Sequence, residues 1–258
     1  MAAPNNYKMA KLFQPGAAPF GNFINYYSFN PPENRLQLLT DSLFNTLTNG
    51  IHSNKISVLD IGCNAGDLTV ELYKSLTQRS EVKHQSIADV VMFGCDIDSI
   101  LIQRATEDNP YPDQITYRSF NIMEGATRVM HLKAFLDSHQ KERFDLVCCF
   151  SLTMWIHLNN GDDGLLKFLD VVSSMTKFLL IEPHPWKCYR SAERRVTKLG
   201  CQGFEMLPHI KIRNDVDVQI KKYLTENCGM TLVKDFGATT WKRSIQLFEN
   251  TSLKYILK

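Results

Sequence analysis

A chain of 258 residues with 44% hydrophobic and 22% charged side chains suits one large α/β domain and excludes intrinsic disorder over most of its length. Lys plus Arg at 29 against Asp plus Glu at 27 leaves a formal charge of +2, so any nucleic-acid contact must come from a local patch. The 7 cysteines lack C-x-x-C spacing and the 7 histidines lack H-x-x-x-H pairs, which implies free thiols in a reducing compartment and no bound metal.

No basic leader with an apolar stretch opens the chain, and no window approaches ~18 apolar residues. The expectation is a cytoplasmic protein without membrane contact, a monomer or weak oligomer. Residues 1–18 read as a mobile lead-in and 19–258 as the folded domain. Phe20, Phe23, Tyr26, Tyr27 and Phe29 form an aromatic cap, and Pro31 and Pro32 lead into Leu36, Leu39, Leu43 and Leu47 at helical spacing.

From there strands and helices alternate. The pattern predicts strands over 55–62, 90–96, 115–122, 144–152 and 177–183, with helices over 67–76, 98–108, 126–138 and 163–175 and a loop over 77–89. Five such units argue for a parallel sheet covered on both faces. A helix over 215–227 is followed by strands over 230–237 and 244–248, whose short connection permits only an antiparallel pair.

The turn Asp60-Ile61-Gly62-Cys63-Asn64-Ala65-Gly66 stands at the carboxyl end of the first strand, where open α/β sheets bind ligands. Gly62 and Gly66 let backbone approach a ligand without a Cβ. A dinucleotide fingerprint needs G-x-G-x-x-G; Asn64 replaces the middle glycine and the third is absent, which disfavours pyrophosphate and a nicotinamide oxidoreductase. Asp60 meets a ligand amine more readily than a phosphate, pointing to S-adenosylmethionine, although a plain βα turn fits these seven residues equally well. Asp96 ends the second strand and can accept both ribose hydroxyls, with Asp98 as N-cap of the next helix. Asn121 either offers its side-chain oxygen to an adenine amino group, with the Ile122 backbone beside it, or serves a turn. Phe150 lines the cleft or packs in the core.

VLDIGCNAGDLT, GCDIDSILIQRA, FSLTMWIHLNNGDDGL and IEPHPWKCYRSAERR, with the upstream N-Y-Y-x-F-x-P-P-E-x-R-L, together resemble the bicoid-interacting type of RNA 5′-end methyltransferase. The resemblance runs from about Pro15 to Phe248. It implies a class I S-adenosylmethionine-dependent methyltransferase: a Rossmann-like, seven-stranded, mostly parallel sheet with a C-terminal antiparallel hairpin. It further implies methyl transfer to a terminal phosphate of RNA, of the tRNA or small-RNA precursor class, and a contact from Arg35 to the cofactor carboxylate. Periodicity alone makes Arg35 a solvated helix residue. His184 stands where relatives more often have Gln, and Asn121 where Asp is common.

A terminal monophosphate has a second pKa near 6 and is largely dianionic at pH 7, so it needs no protein base. Cationic donors must orient it. Lys187, Arg190, Arg194 and Lys198 recur at near-helical spacing after the fifth strand, with Arg195 adjacent; the stripe fits a solvated helix face as well as a phosphate site. Lys187 and Arg190 are favoured as donors because they lie nearest the strand end. His157 is a third candidate, for touching the phosphate or tying down its loop. Trp155 and Trp186 either stack on a terminal base or pack inside. The competing functions are a cofactor-binding RNA adaptor without turnover and a methyltransferase acting on a small molecule or protein.

Overall fold

The computed structural model describes residues 18–51, 53–83 and 89–252, so the expected lead-in over 1–18 lies, but for Ala18, outside the described residues. A short helix α1 (Tyr26–Phe29) precedes α2 (Glu33–Gly50), which starts directly after the Pro31-Pro32 pair. The alternating part follows as β1 (Lys55–Ile61), α3 (Asp67–Lys83), β2 (Asp89–Asp96), α4 (Ser99–Glu107), β3 (Ile115–Ser119), α5 (Gly125–Ser138), β4 (Phe144–Phe150), α6 (Thr153–Ser174), β5 (Thr176–Glu182) and α7 (Trp186–Lys198). A 3-10 turn (Leu207–His209), α8 (Val216–Glu226), β6 (Met230–Ala238) and β7 (Ser244–Asn250) complete the chain's described elements.

The strands form one sheet in the order β3-β2-β1-β4-β5-β7-β6. All neighbours pair in parallel except β7, which runs antiparallel to both β5 and β6. This is the seven-stranded sheet with a C-terminal hairpin expected from the sequence.

Side chains alternate between the two faces of each strand, so one strand feeds two cores. Leu59 and Ile61 of β1 pack with Leu132 and Phe135 of α5, Phe168 and Leu169 of α6, Tyr189 of α7 and Ile220 of α8. Ile56 and Val58, one residue out of phase, pack with Leu39, Leu43 and Leu47 of α2, Leu68 and Leu72 of α3, and Ile102 of α4. The strand order reverses at β1 and β4, opening a crevice beyond their carboxyl ends.

Three element boundaries differ from the sequence reading by three residues or more. The polar stretch assigned to a loop continues α3 to Lys83, since Gln78, Arg79, Glu81 and Lys83 are good helix formers without an apolar stripe. β3 ends at Ser119, not at residue 122. Helix α6 begins at Thr153, ten residues early, and breaks at Gly161 with φ 71° and ψ −172°; the glycine hid the first two turns, including His157.

Candidate active site

Beyond the carboxyl ends of β1, β2, β3 and β4 lies a cavity of about 360 Å³, within the range of a nucleoside-sized ligand site. Arg35, Asp60, Gly62, Asn64, Asp96, Asn121, Ile122 and Phe150, the eight residues expected to hold the cofactor, all line it. The remaining wall comes from the N-terminal strap, with Phe20, Gly21, Tyr26 and Tyr27, and from Ser151, Leu152, Trp155, Ile156, Asn159 and Asn160 around the start of α6.

Register explains the convergence. Asp60 pairs with Gly94 and Cys148 on either side, and Phe150 with Glu182, so consecutive strands end at one level. Gly62 and Gly66 sit at φ 76° and 85°, and Asn64 at 54°, a conformation that Asn tolerates better than most residues. The Asn64 backbone N–H donates to Asp96 Oδ2 at 3.0 Å, while its side-chain amide donates to the Phe23 carbonyl at 3.0 Å. The turn thus fixes Asp96 and the strap together.

Asp60 and Asp96 are both buried. Burial pushes Asp60 up to about 6, against a 2.6 Å hydrogen bond from Thr69 and the nearby Arg35 charge. Burial likewise pushes Asp96 up to about 6, against backbone N–H bonds from Asp98 and Asn64. Two acids held near neutrality are poised for a ligand that donates hydrogen bonds or carries positive charge. Asp98 is the N-cap of α4, its Oδ1 accepting the Ile100 N–H at 2.9 Å. The Asn121 side-chain oxygen accepts the Met123 N–H at 3.0 Å, closing a local turn and leaving one lone pair for a ligand.

Arg35 is fully buried, contrary to its periodicity. Its Nε and Nη2 reach Glu182 Oε2 at 3.0 and 2.9 Å, and Nη2 also donates to Tyr26 Oη at 2.7 Å and Ser151 Oγ at 3.0 Å. Burial works against the Arg35 charge, but Glu182 and the two tyrosines outweigh it and hold the guanidinium firmly protonated. Nη1 is buried without a hydrogen-bond partner. A buried donor left bare costs about 1–3 kcal/mol, so a wall cation with such a nitrogen fits an anionic ligand group. Glu182, Ser151, Trp241 and Arg243 complete this cluster, Trp241 Nε1 donating to Glu182 Oε1 at 2.6 Å and Arg243 Nη1 to Ser151 Oγ at 2.5 Å. Sequence reasoning missed all four. Glu182 stood inside the E-P-x-P-W motif as a signal, whereas the β6–β7 turn carried none.

The three residues expected on the acceptor side do not line the cavity. Lys187 and Arg190 are exposed on α7, whose packed face is Tyr189, Ala192 and Val196. Around the helix Lys187 lies about half a turn and Arg190 about a third of a turn from the centre of that face. Of the α7 cations it is Arg195 that flanks the site, its guanidinium 4.9 Å from the Phe23 ring centroid. His157 is fully buried, with Nδ1 3.0 Å from Tyr189 Oη and Nε2 2.8 Å from Asp162 Oδ1. Because Asp162 can only accept, Nε2 carries the proton and Nδ1 accepts the tyrosine hydroxyl. Burial lowers the His157 pKa despite Asp162, so it stays neutral and structural. Trp155 packs edge-on to Phe23 at 6.0 Å, and Trp186 stacks on Tyr189 at 4.8 Å.

Residues 144–250 match the family profile described as Bicoid-interacting protein 3 (Bin3). The chain is 44% identical over 244 residues to an RNA 5′-monophosphate methyltransferase of Pongo abelii, covering 93% of this chain and 84% of the relative. The chain belongs to the RNA 5′-monophosphate methyltransferase family. Family members described as pre-miRNA 5′-monophosphate methyltransferases are 45% identical in Xenopus laevis, covering 95% of this chain and 97% of the relative, and 44% in Danio rerio, covering 91% and 93%. Among solved structures, magnesium protoporphyrin IX methyltransferase from Synechocystis with bound SAM matches with TM-score 0.52 at 14% identity, covering 97% of this chain and 100% of that one. The N-methyltransferase NodS from Bradyrhizobium japonicum with S-adenosyl-l-homocysteine gives 0.53 at 16%, covering 91% and 95%. These two likenesses concern the fold.

Proposed function

We propose that this chain binds S-adenosylmethionine in the cavity and transfers its methyl group to the 5′-monophosphate of RNA. The observation that carries the reading is the meeting of eight residues from four strand ends and α2 around one cavity, with the partnerless Arg35 Nη1 among them. Each group of the cofactor then has a counterpart: Arg35 for the carboxylate, Asp60 for the amine, Asp96 for the ribose hydroxyls, and Asn121 with Ile122 for the adenine edge. The family supports the acceptor, since its members are described by that substrate.

Bound S-adenosylmethionine supplies an electrophilic methyl carbon on a sulfonium. The acceptor oxygen forms a bond to that carbon as the carbon–sulfur bond breaks, and the electron pair stays on sulfur. A dianionic phosphate has no proton to lose, so the chain's residues align and shield rather than abstract. Phe150 and Tyr26 stand against the Arg35 guanidinium at 5.5 and 5.7 Å, narrowing the wall around the ion cluster. The strap closes the site through Asn22 to Asp98 at 2.8 Å, Asn64 to Phe23 at 3.0 Å and Asn159 to Pro19 at 2.9 Å. Such closure excludes water and holds the reacting atoms in line.

The test is methylation of otherwise identical RNAs bearing 5′-hydroxyl, 5′-monophosphate or 5′-triphosphate ends. Labelled methyl should appear on the monophosphate RNA and not on the hydroxyl RNA. Equal labelling of both would move the acceptor elsewhere on the RNA and end the proposal.

A further inference from the structure

Lys187, Arg190, Arg194 and Lys198 follow one another along α7 on its exposed face, opposite the buried Tyr189, Ala192 and Val196. At 1.5 Å rise per residue the row is about 16 Å long. Five lysines elsewhere pair with acids, Lys55 with Asp89, Lys74 with Glu71, Lys133 with Asp137, Lys141 with Asp145 and Lys222 with Glu226, while the exposed Lys167, Lys211, Lys221, Lys234 and Lys242 have no ion pair among the described residues but stand apart in sequence rather than in a row. None of the four α7 cations has an acidic partner among the described residues. The one acid on the helix, Glu193, faces the following loop, where its Oε2 accepts the Phe204 N–H at 3.0 Å. The row therefore keeps its charge unneutralised over its whole length.

Its position ties it to the site. β5 ends at Glu182, the carboxylate that Arg35 grips at the cavity wall, and α7 opens at Trp186 shortly after. The row thus starts at Lys187, five residues after Glu182, the partner of the cavity-lining Arg35.

We propose that the α7 ridge seats the phosphate backbone of a base-paired RNA stem whose 5′-monophosphate end occupies the cavity. The inference rests on the function proposed above and adds the surface that holds the rest of the substrate. Duplex RNA is favoured over a single strand because single-strand sites interleave cations with aromatic platforms for the bases. The outward face of α7 has none: its only tryptophan is stacked between Tyr189 at 4.8 Å and the Arg213 guanidinium at 5.8 Å. Four point charges in a row read backbone spacing, independent of sequence, as duplex RNA is usually read.

The experiment compares the wild type with Arg194→Gln/Lys198→Gln, which alters the ridge away from the cavity. Two RNAs serve as substrate: a hairpin with a 5′-monophosphate at its stem end, and a 5′-phosphorylated dinucleotide too short to span the α7 row. The double variant should raise KM for the hairpin about tenfold with kcat and the KM for S-adenosylmethionine unchanged, and should leave the dinucleotide unaffected. In hairpin binding measured by fluorescence anisotropy, the slope of log K against log salt should fall by about two, one counterion per lost charge. Arg194→Lys/Lys198→Arg should restore both. An unchanged salt slope overturns the ridge, and so does an equal loss on an unpaired RNA of the hairpin's length. The binding arm stands without turnover, so failure of the methylation chemistry and failure of the ridge are read separately.

Discussion

Arg35 and Glu182 are 147 residues apart in sequence, yet two nitrogens of the arginine converge on one oxygen of the glutamate, at 3.0 and 2.9 Å, with both side chains fully buried. This pair pins the first long helix to the end of β5, and through Tyr26 and Ser151 it also fixes the strap and the β4 end. Taking away one member of a buried pair leaves an uncompensated charge and costs about 3–5 kcal/mol.

Glu182→Gln is therefore expected to lower the thermal midpoint strongly and to weaken cofactor binding in whatever protein remains folded. Arg35→Lys keeps the charge but loses the planar fork. Its S-adenosylmethionine affinity should fall at least tenfold by calorimetry, with a smaller loss of stability. Wild-type affinity in a folded Arg35→Lys protein would remove Arg35 from the carboxylate.

Cofactor binding should depend on pH through Asp60 and Asp96. Burial raises both to about 6, so above that pH both are charged, able to accept ribose hydroxyls and to face an amine; below it they take up protons and lose that capacity. Affinity for S-adenosylmethionine should be flat from pH 8 to 7 and fall as pH drops through about 6. Asp96→Asn should bind about ten to a hundredfold more weakly at pH 7.5 and show a shallower acid fall. A wild-type affinity that is constant down to pH 5 would contradict the assignment.

How much of this was legible depended on whether a residue's role is set by local pattern or by a distant partner. β1, β2 and the turn between β1 and α3 were readable because a buried parallel strand is a continuous apolar run and a βα turn needs glycine. Asp60 and Asp96 were picked out by their strand ends, whereas the end of β4 left Phe150 between cleft and core, and it lines the cavity. Arg35 was not readable from periodicity, since the polar cluster that buries it comes from β4, β5 and the β6–β7 turn; only the family resemblance pointed to it. His157 was left between the phosphate and a structural role for a related reason. Gly161 masked the helix that carries it, and Tyr189 and Asp162, which take both its ring nitrogens, are met only in three dimensions. Lys187 and Arg190 were placed by closeness in sequence to the strand end, but the helical phase set by Tyr189, Ala192 and Val196 turns them outward.

For His157 the expectation is structural. Replacing it by Phe leaves the buried Tyr189 hydroxyl without its partner and removes one hydrogen bond from Asp162, which keeps the Lys211 and Ile212 N–H groups, at a cost of about 1–3 kcal/mol. The His157→Phe protein should unfold at lower temperature yet keep the wild-type pH profile of kcat. A lost ionisation in that profile would restore His157 to the chemistry.

Gly21 tests the strap. It lies in the cavity wall at φ 76°, and a Cβ built there would overlap the Trp155 indole. Gly200 has nearly the same backbone, φ 73°, with nothing within 4 Å of an added Cβ. An alanine at either position pays the left-handed strain, about 1–2 kcal/mol, but only the one at Gly21 must also push strap and α6 apart. That displacement strains Asn159 to Pro19, Asn22 to Asp98 and Asn64 to Phe23, and the last two reach residues next to Asp96 or bonded to it. Gly21→Ala should therefore raise the KM for S-adenosylmethionine severalfold beyond its loss of stability, whereas Gly200→Ala should lose stability alone. If the two variants match in both readouts, the strap's fit against Trp155 plays no part in holding the cofactor.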